Sequence, residues 1–173
     1  MMASKAVGLF DSGPLRLLPS AVREPRRAWL SILVGAALTL IGSLALSSIA
    51  TSIAPTLARP DFPMQGPVAF LLLFAFAPLV ETLIMAAVLS LLARFLSPTS
   101  AVLLSAAGWG IAHSLQAAAW GLVIWWPFVI FSTLYMVWRE RSVVAALGVA
   151  TATHALQNLL PALTIAFGQG PPQ

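Results

Sequence analysis

Long apolar runs separated by short polar links occupy most of this 173-residue chain and restrict the folds that it can adopt. Hydrophobic residues make up 60% of the sequence and charged residues 8%, about a third of the charged fraction of a soluble globular domain. A bilayer core of about 30 Å is crossed by roughly 20 helical residues. A β-barrel would instead show short segments of alternating polarity. The sequence therefore predicts an all-α polytopic membrane protein.

A bundle of five transmembrane helices is predicted, forming one domain over residues 29–167. The predicted spans are residues 29–53, 66–95, 99–116, 118–138 and 143–167. The first apolar run, of about 25 residues, is too long for a cleaved secretory signal and is interpreted as an uncleaved anchor. A basic arm over residues 1–28 precedes it and is expected to be poorly ordered or interfacial. Residues 168–173 are expected to form a frayed tail.

The basic residues predict the orientation of these spans. Of the nine lysine and arginine residues, only Arg59 falls on one side of the predicted topology. The other eight are Lys5, Arg16, Arg23, Arg26, Arg27, Arg94, Arg139 and Arg141. Because cytoplasmic links are enriched in lysine and arginine, we expect a cytoplasmic N-terminus and an external C-terminus. The basic arm is most simply an anchor next to anionic lipid, so the bilayer is an expected partner and nucleic acid is not.

Three ionisable side chains lie well inside the predicted spans: Glu81, His113 and His154. Glu81 and His154 are each 13 residues from the arginine at the cytoplasmic end of their span, and His113 is 14 residues past Thr99. At 1.5 Å per helical residue, all three lie roughly 20 Å from that boundary. Ionisable groups inside a bilayer are costly unless paired, and they mark a functional site by default. Convergence of the three on one site is therefore predicted.

Neighbouring residues add to this expectation. Asn158 follows His154 by one helical turn and shares its face, and Gln157 is placed at the edge of the same face. Pro78, three residues before Glu81, frees a backbone carbonyl one turn before itself, which allows a kink or a wet pocket beside the carboxylate. Small residues in the third and fifth spans are expected to let those helices approach and bring the histidines together. A carboxylate, two imidazoles and a carboxamide suit hydrolysis of an amide.

The order of these residues resembles the CPBP family of intramembrane metalloproteases, which includes the CAAX prenyl endopeptidases and bacterial Abi-type proteins. The family pattern is EExxxR, often after Ala-Pro, then FxxxH, then HxxxN or HxxxD, on separate helices. The matching stretches are APLVETLIMA from Ala77, WGIAH from Trp109 and HALQN from His154. The last matches fully, and Trp109 replaces the phenylalanine of the second. The first is degenerate, because Thr82 and Ala86 replace its second glutamate and its arginine.

The resemblance implies an intramembrane endopeptidase in which Glu81 and His113 activate water. His154 and Asn158 would stabilise the oxyanion or take part in binding a metal. Glu81, His113 and His154 are the candidate ligands for a divalent metal such as zinc, and the sequence leaves metal dependence open. A membrane-associated peptide or protein is the implied substrate, and the bacterial inner membrane is the expected location.

Other interpretations of the same residues stay open. Each histidine alone is better explained by interhelical hydrogen bonding than by catalysis, and a protonated structural carboxyl is the lesser alternative for Glu81 alone. The degenerate first motif is compatible with a non-catalytic relative that acts as a membrane interaction or immunity-type protein. A small ion-linked transporter is a third interpretation, although the sequence shows no internal repeat to support it.

Overall fold

Every predicted span is helical in the computed structural model, which describes residues 8–168 of the chain and contains no strand in that range. The helices are α1 (Ser20–Arg23), α2 (Ala28–Ile53), α3 (Gly66–Leu71), α4 (Ala77–Leu92), α5 (Pro98–Ser114), α6 (Ala118–Trp138) and α7 (Val143–Phe167). A π-helical turn, Leu72–Phe76, joins α3 and α4 into one continuous span, and a 3-10 turn, Pro14–Leu17, precedes α1. The predicted tail from residue 169 onward lies outside the described residues.

Four helical segments are long and apolar enough to cross a bilayer. They are Ala28–Ile53, Gly66–Leu92, Ala118–Trp138 and Val143–Phe167. The third predicted span is α5, whose 17 residues extend about 25 Å and fall short of a bilayer core of about 30 Å. The prediction of an all-α polytopic membrane protein is confirmed. The number of spans differs from the predicted five, because four helical segments meet the length for a crossing and α5 does not.

Serine side chains begin the two helices that carry the histidines. Ser97 accepts a hydrogen bond from the backbone N–H of Ser100, and Pro98 occupies the first position of α5. Ser142 accepts from the N–H of Ala145 at the start of α7. Each cap satisfies a backbone donor that the first turn of a helix leaves without a partner. These local signals set the starts of α5 and α7 and hence the depth of the histidines along them.

The C-terminal half of α6 forms the centre of the bundle. Every residue from Phe128 to Trp138 is buried, because α2, α5 and α7 pack around this half of the helix. A side chain at Gly121 of α6 would overlap Ser114 Oγ and the carbonyl oxygen of Gly110, both on α5. The expected close approach of the third and fifth spans is therefore wrong, since α5 packs against α6, with Gly110 and Gly121 at the contact. The ring of Phe128 of α6 consequently packs near both histidines.

The N-terminal segment is folded against this bundle over residues 8–27, which we call the N-terminal cap. Phe10, Leu15 and Val22 are buried in the hydrophobic core. Arg23 bonds Asp11 at 2.8 Å from Nη1 to Oδ1, and its Nε donates to a backbone carbonyl at 2.7 Å. The expectation of poor order is therefore wrong for residues 8–27. The burial of three apolar side chains fixes this short basic segment against the bundle.

Candidate functional site

Glu81 and His154 meet where α4 packs against α7. Oε2 of Glu81 is 3.8 Å from Nε2 of His154. This separation is too long for a direct hydrogen bond and short enough for an ion pair when the imidazole is protonated. The Glu81 side chain is 26% exposed and that of His154 is 6% exposed, so the carboxylate lies at the edge of the bundle and the imidazole inside it. The structure thus brings together two of the three ionisable groups that the sequence predicts at the same depth in the membrane.

The orientation of His113 is set by its own helix. Nδ1 of this buried imidazole lies 2.8 Å from the carbonyl oxygen of Trp109, one turn earlier in α5. A carbonyl oxygen only accepts, so Nδ1 carries the hydrogen and donates it. A neutral His113 therefore presents a lone pair at Nε2. That nitrogen can accept a proton or bind a metal, and it cannot donate to an oxyanion unless the ring is protonated.

Four aromatic rings, which we call the aromatic shell, surround the imidazoles: Trp109, Trp120, Phe128 and Phe131. The ring of Phe128 lies 5.9 Å from that of His113 and 5.5 Å from that of His154, between ring centroids. Phe131 stacks on His154 at 4.4 Å, and Trp120 meets His113 edge-on at 4.6 Å. These rings make a water-poor setting, in which electrostatic interactions are stronger than in water.

Sequence reasoning missed Phe128 and Phe131 as site residues. Both belong to an unbroken apolar stretch of α6, which contains no ionisable side chain before its last turn, so nothing in their type or spacing distinguishes them from core. Their role depends on α6 lying between α5 and α7. Trp109 was singled out only as the residue that replaces the family phenylalanine, and its stacking on Phe128 at 4.3 Å explains why an aromatic residue suits that position.

Asn158 is bound to the backbone of the span that carries Glu81. Its Nδ2 donates to the carbonyl oxygen of Leu73 at 3.1 Å. In the π turn the N–H of Ala77 bonds the carbonyl of Leu72, five residues earlier. The next residue in this register is Pro78, which has no N–H, so the carbonyl of Leu73 lacks its backbone donor. Asn158 supplies that donor, which is a different task from the oxyanion binding that the family resemblance implies.

The carbonyl that Pro78 frees and the contact that Gln157 makes both differ from what the sequence predicts. In an ordinary α-helix Pro78 would free the carbonyl four residues earlier, whereas the π turn moves the vacancy to Leu73, five residues earlier. Gln157 does not line the same side as His154. Its Nε2 donates to Ser43 Oγ at 3.4 Å and so joins α7 to α2.

The two replaced family positions are both buried. Thr82 is 1% exposed and Ala86 is 7% exposed, and both belong to the face of α4 that packs into the bundle. Within residues 8–168, the hydroxyl of Thr82 has no hydrogen-bond partner. Small side chains thus occupy the places where the family pattern has a glutamate and an arginine. Loss of both members of a buried pair is less costly than loss of one, because no single charge is left behind.

The three candidate metal ligands are not grouped as a metal site. Across residues 8–168, no cluster of three or more histidine, cysteine, aspartate or glutamate side chains is placed to hold a metal ion. Glu81 and His154 are close, whereas each histidine packs near the ring of Phe128. This arrangement does not fit a metal held jointly by the three side chains.

Comparison with known proteins gives no match to this chain among protein-family models, curated proteins or solved structures. The resemblance to the CPBP family therefore depends on the three sequence motifs. The chemistry of the site depends on the geometry of Glu81, His113 and His154 within the bundle.

Proposed function

We propose that this protein is an intramembrane endopeptidase that hydrolyses a peptide bond of a membrane-associated protein or peptide. The observation that carries the proposal is the Glu81–His154 pair, with 3.8 Å between carboxylate and imidazole inside membrane spans. A carboxylate at the edge of a bundle, backed by an imidazole and by a shell of aromatic rings, supplies a base in a water-poor site. The sequence motifs support the same reaction class.

In the proposed reaction Glu81 takes a proton from a water molecule, and the water oxygen attacks the carbonyl carbon of the substrate. The tetrahedral intermediate collapses as the C–N bond breaks, and the proton held by Glu81 passes to the leaving nitrogen. The products are one new carboxyl terminus and one new amino terminus. No step is assigned to a metal, because the three candidate ligands are not grouped around one point.

The two imidazoles differ in this scheme. Nε2 of His154 lies 3.8 Å from an acceptor carboxylate, so the favoured neutral tautomer carries its hydrogen on this nitrogen without bonding Glu81 directly. The same N–H is a donor for the developing oxyanion. Nε2 of His113 presents a lone pair, but His113 is not grouped with Glu81 and His154, so no step is assigned to it. The proposal therefore gives His154 the place beside Glu81 that the resemblance assigned to His113.

The position of Glu81 favours a substrate that lies in the membrane. Its side chain lies between the buried face of α4 and a face on which Leu83 and Ile84 are 47% and 50% exposed. A transmembrane or interfacial peptide that approaches α4 from the lipid reaches the carboxylate without first entering the bundle. The bacterial inner membrane is the location that the motif resemblance suggests for this reaction.

The test is a survey of new protein amino termini in membranes supplied with the purified protein. Vesicles prepared from membranes of cells that lack this protein are incubated with the wild type, Glu81→Gln, His154→Ala or His113→Ala. Glu140→Gln is the matched control, because it removes the same charge from an exposed position at the end of α6. We expect new termini with the wild type and the control, and none with Glu81→Gln. Identical termini with Glu81→Gln, or none with the wild type, would contradict the proposal.

A non-catalytic membrane interaction protein is the second candidate function. The observation in its favour is that Thr82 and Ala86 fill the degenerate first motif with buried, uncharged side chains. In that case the Glu81–His154 pair joins α4 to α7 and has no chemical task. The cellular effect of the protein would then persist in Glu81→Gln while new termini are absent from every sample, wild type included.

A further inference from the structure

A cavity of about 180 Å³ lies at the end of the bundle that carries Arg59, far from the basic links. It is formed by the last turns of α2, the link to α3 and the first turn of α6. Its lining includes Ser47, Ala50, Thr51, Arg59, Ala119 and Trp120. Neither Glu81 nor either histidine lines this Arg59 cavity, and Trp120 is the one lining residue that also belongs to the aromatic shell of the candidate site.

Three contacts hold the link over this cavity. The backbone N–H of Ala119 donates to the carbonyl of Ala58 at 3.0 Å. Phe62 packs edge-on against Trp120, with 5.5 Å between ring centroids. Nη2 of Arg59 donates to Thr51 Oγ1 at 3.1 Å. The walls are therefore in place before a ligand arrives, which lowers the entropic cost of binding.

The polar groups of the cavity match an oxyanion. Arg59 is the only lysine or arginine on its side of the predicted topology, and no carboxylate in the described part of the chain lies within 4.0 Å of it. Thr51 Oγ1 accepts from Arg59, so its own hydroxyl hydrogen is available to a ligand. A guanidinium beside hydroxyl donors is the set that binds phosphate oxygens with directed, charge-assisted hydrogen bonds.

The size and the position of the Arg59 cavity restrict the kind of ligand further. Pockets for drug-sized molecules measure roughly 300–1,000 Å³, so about 180 Å³ suits a small polar group with a short apolar stem. Ala50, Ala119 and Val123 supply the apolar wall for such a stem. The cavity lies where α2 ends and α6 begins, at the level where lipid headgroups meet a spanning helix and where tryptophan is common.

We propose that the Arg59 cavity binds a phosphate oxyanion, carried by the headgroup of an anionic phospholipid in the outer leaflet. Arg59 and Thr51 contact the phosphate, and the apolar wall contacts the glycerol end of the lipid. Basic pockets between membrane helices are a general means of lipid headgroup recognition. This inference is independent of the proposed peptidase activity, because its residues and its assay do not involve Glu81.

The experiment measures which lipid the purified full-length protein retains after extraction from phosphatidylcholine vesicles doped with phosphatidylglycerol or with diacylglycerol. Native mass spectrometry counts the retained lipid. The variants are Arg59→Gln, Arg59→Lys, Thr51→Val and the matched control Arg94→Gln, which removes an exposed charge at the opposite end of the bundle. Thermal unfolding of each variant shows that the fold is kept.

We expect the wild type and Arg94→Gln to retain phosphatidylglycerol and not diacylglycerol. Loss of a charge-assisted hydrogen bond in Arg59→Gln should lower retention about tenfold. Arg59→Lys should retain more phosphatidylglycerol than Arg59→Gln. Thr51→Val should retain an amount between those of Arg59→Gln and the wild type. Equal retention by Arg59→Gln and the wild type, or an equal loss in Arg94→Gln, overturns the proposal. Arg59-dependent binding of inorganic phosphate without retention of phosphatidylglycerol overturns the lipid source and identifies a soluble phosphate ester.

Discussion

The hydrogen bond between Asn158 and the carbonyl of Leu73 leads to a prediction about the residue that makes it necessary. Pro78 cannot donate to that carbonyl in the π register, so Asn158 does so at 3.1 Å. Replacing Pro78 with alanine restores a backbone N–H five residues after Leu73. The side chain of Asn158 should then no longer be needed for this task. Stability should depend on Asn158 when residue 78 is proline and not when it is alanine.

The size of the effect follows from the surroundings of the carbonyl. Leu73 lies in a membrane span, where lipid offers no donor to replace a lost partner. A buried acceptor without a partner costs about 1–3 kcal/mol, and interhelical hydrogen bonds in membrane proteins reach about 1.7 kcal/mol. We therefore expect Asn158→Leu to lower the free energy of unfolding by about 1–1.5 kcal/mol with Pro78. With Pro78→Ala in place, the same substitution should cost less than about 0.5 kcal/mol.

The assay is a double-mutant cycle on the purified protein in mixed micelles, unfolded reversibly with a denaturing detergent. Gln157→Leu is the matched control, because Gln157 is the preceding residue and bonds Ser43 of α2 instead of the π turn. Its cost should be the same with either residue at position 78. An equal cost of Asn158→Leu in both backgrounds would refute the reasoning, because Asn158 would then stabilise the bundle by some other contact.

Packing supplies the remaining predictions. Gly121→Ala places a methyl group on Ser114 Oγ, so it should lower the free energy of unfolding by about 1–3 kcal/mol in the same detergent titration. Gly148→Ala is the control and should be neutral, because no atom lies within 4 Å of the added methyl group. Phe10→Ala should cost about 3–5 kcal/mol because the ring is fully buried, and Leu17→Ala, at a position 83% exposed, should cost little. Equal thermal stabilities of the two variants in either pair would contradict the packing described for those residues.

The membrane fold could be predicted from the sequence because the bilayer constrains it so strongly. A span must be helical, apolar and about 20 residues long, and those properties can be counted in the chain. The three ionisable residues of the candidate site could be identified for the same reason, since such residues are rare inside spans. Depth is also readable from sequence, because each helical residue advances by 1.5 Å. Those features belong to single helices and need no knowledge of their neighbours.

The tertiary structure decided which side chains meet. Spacing along a helix does not say how the helix is rotated or which helix lies beside it. The pairing of Glu81 with His154, the packing of Phe128 near both histidines and the bond from Asn158 to Leu73 all depend on those rotations. The burial of the N-terminal cap depends on a groove that exists only in the assembled bundle. The sequence by itself therefore determined the depth of the polar residues, and the packing of the helices determined their partners.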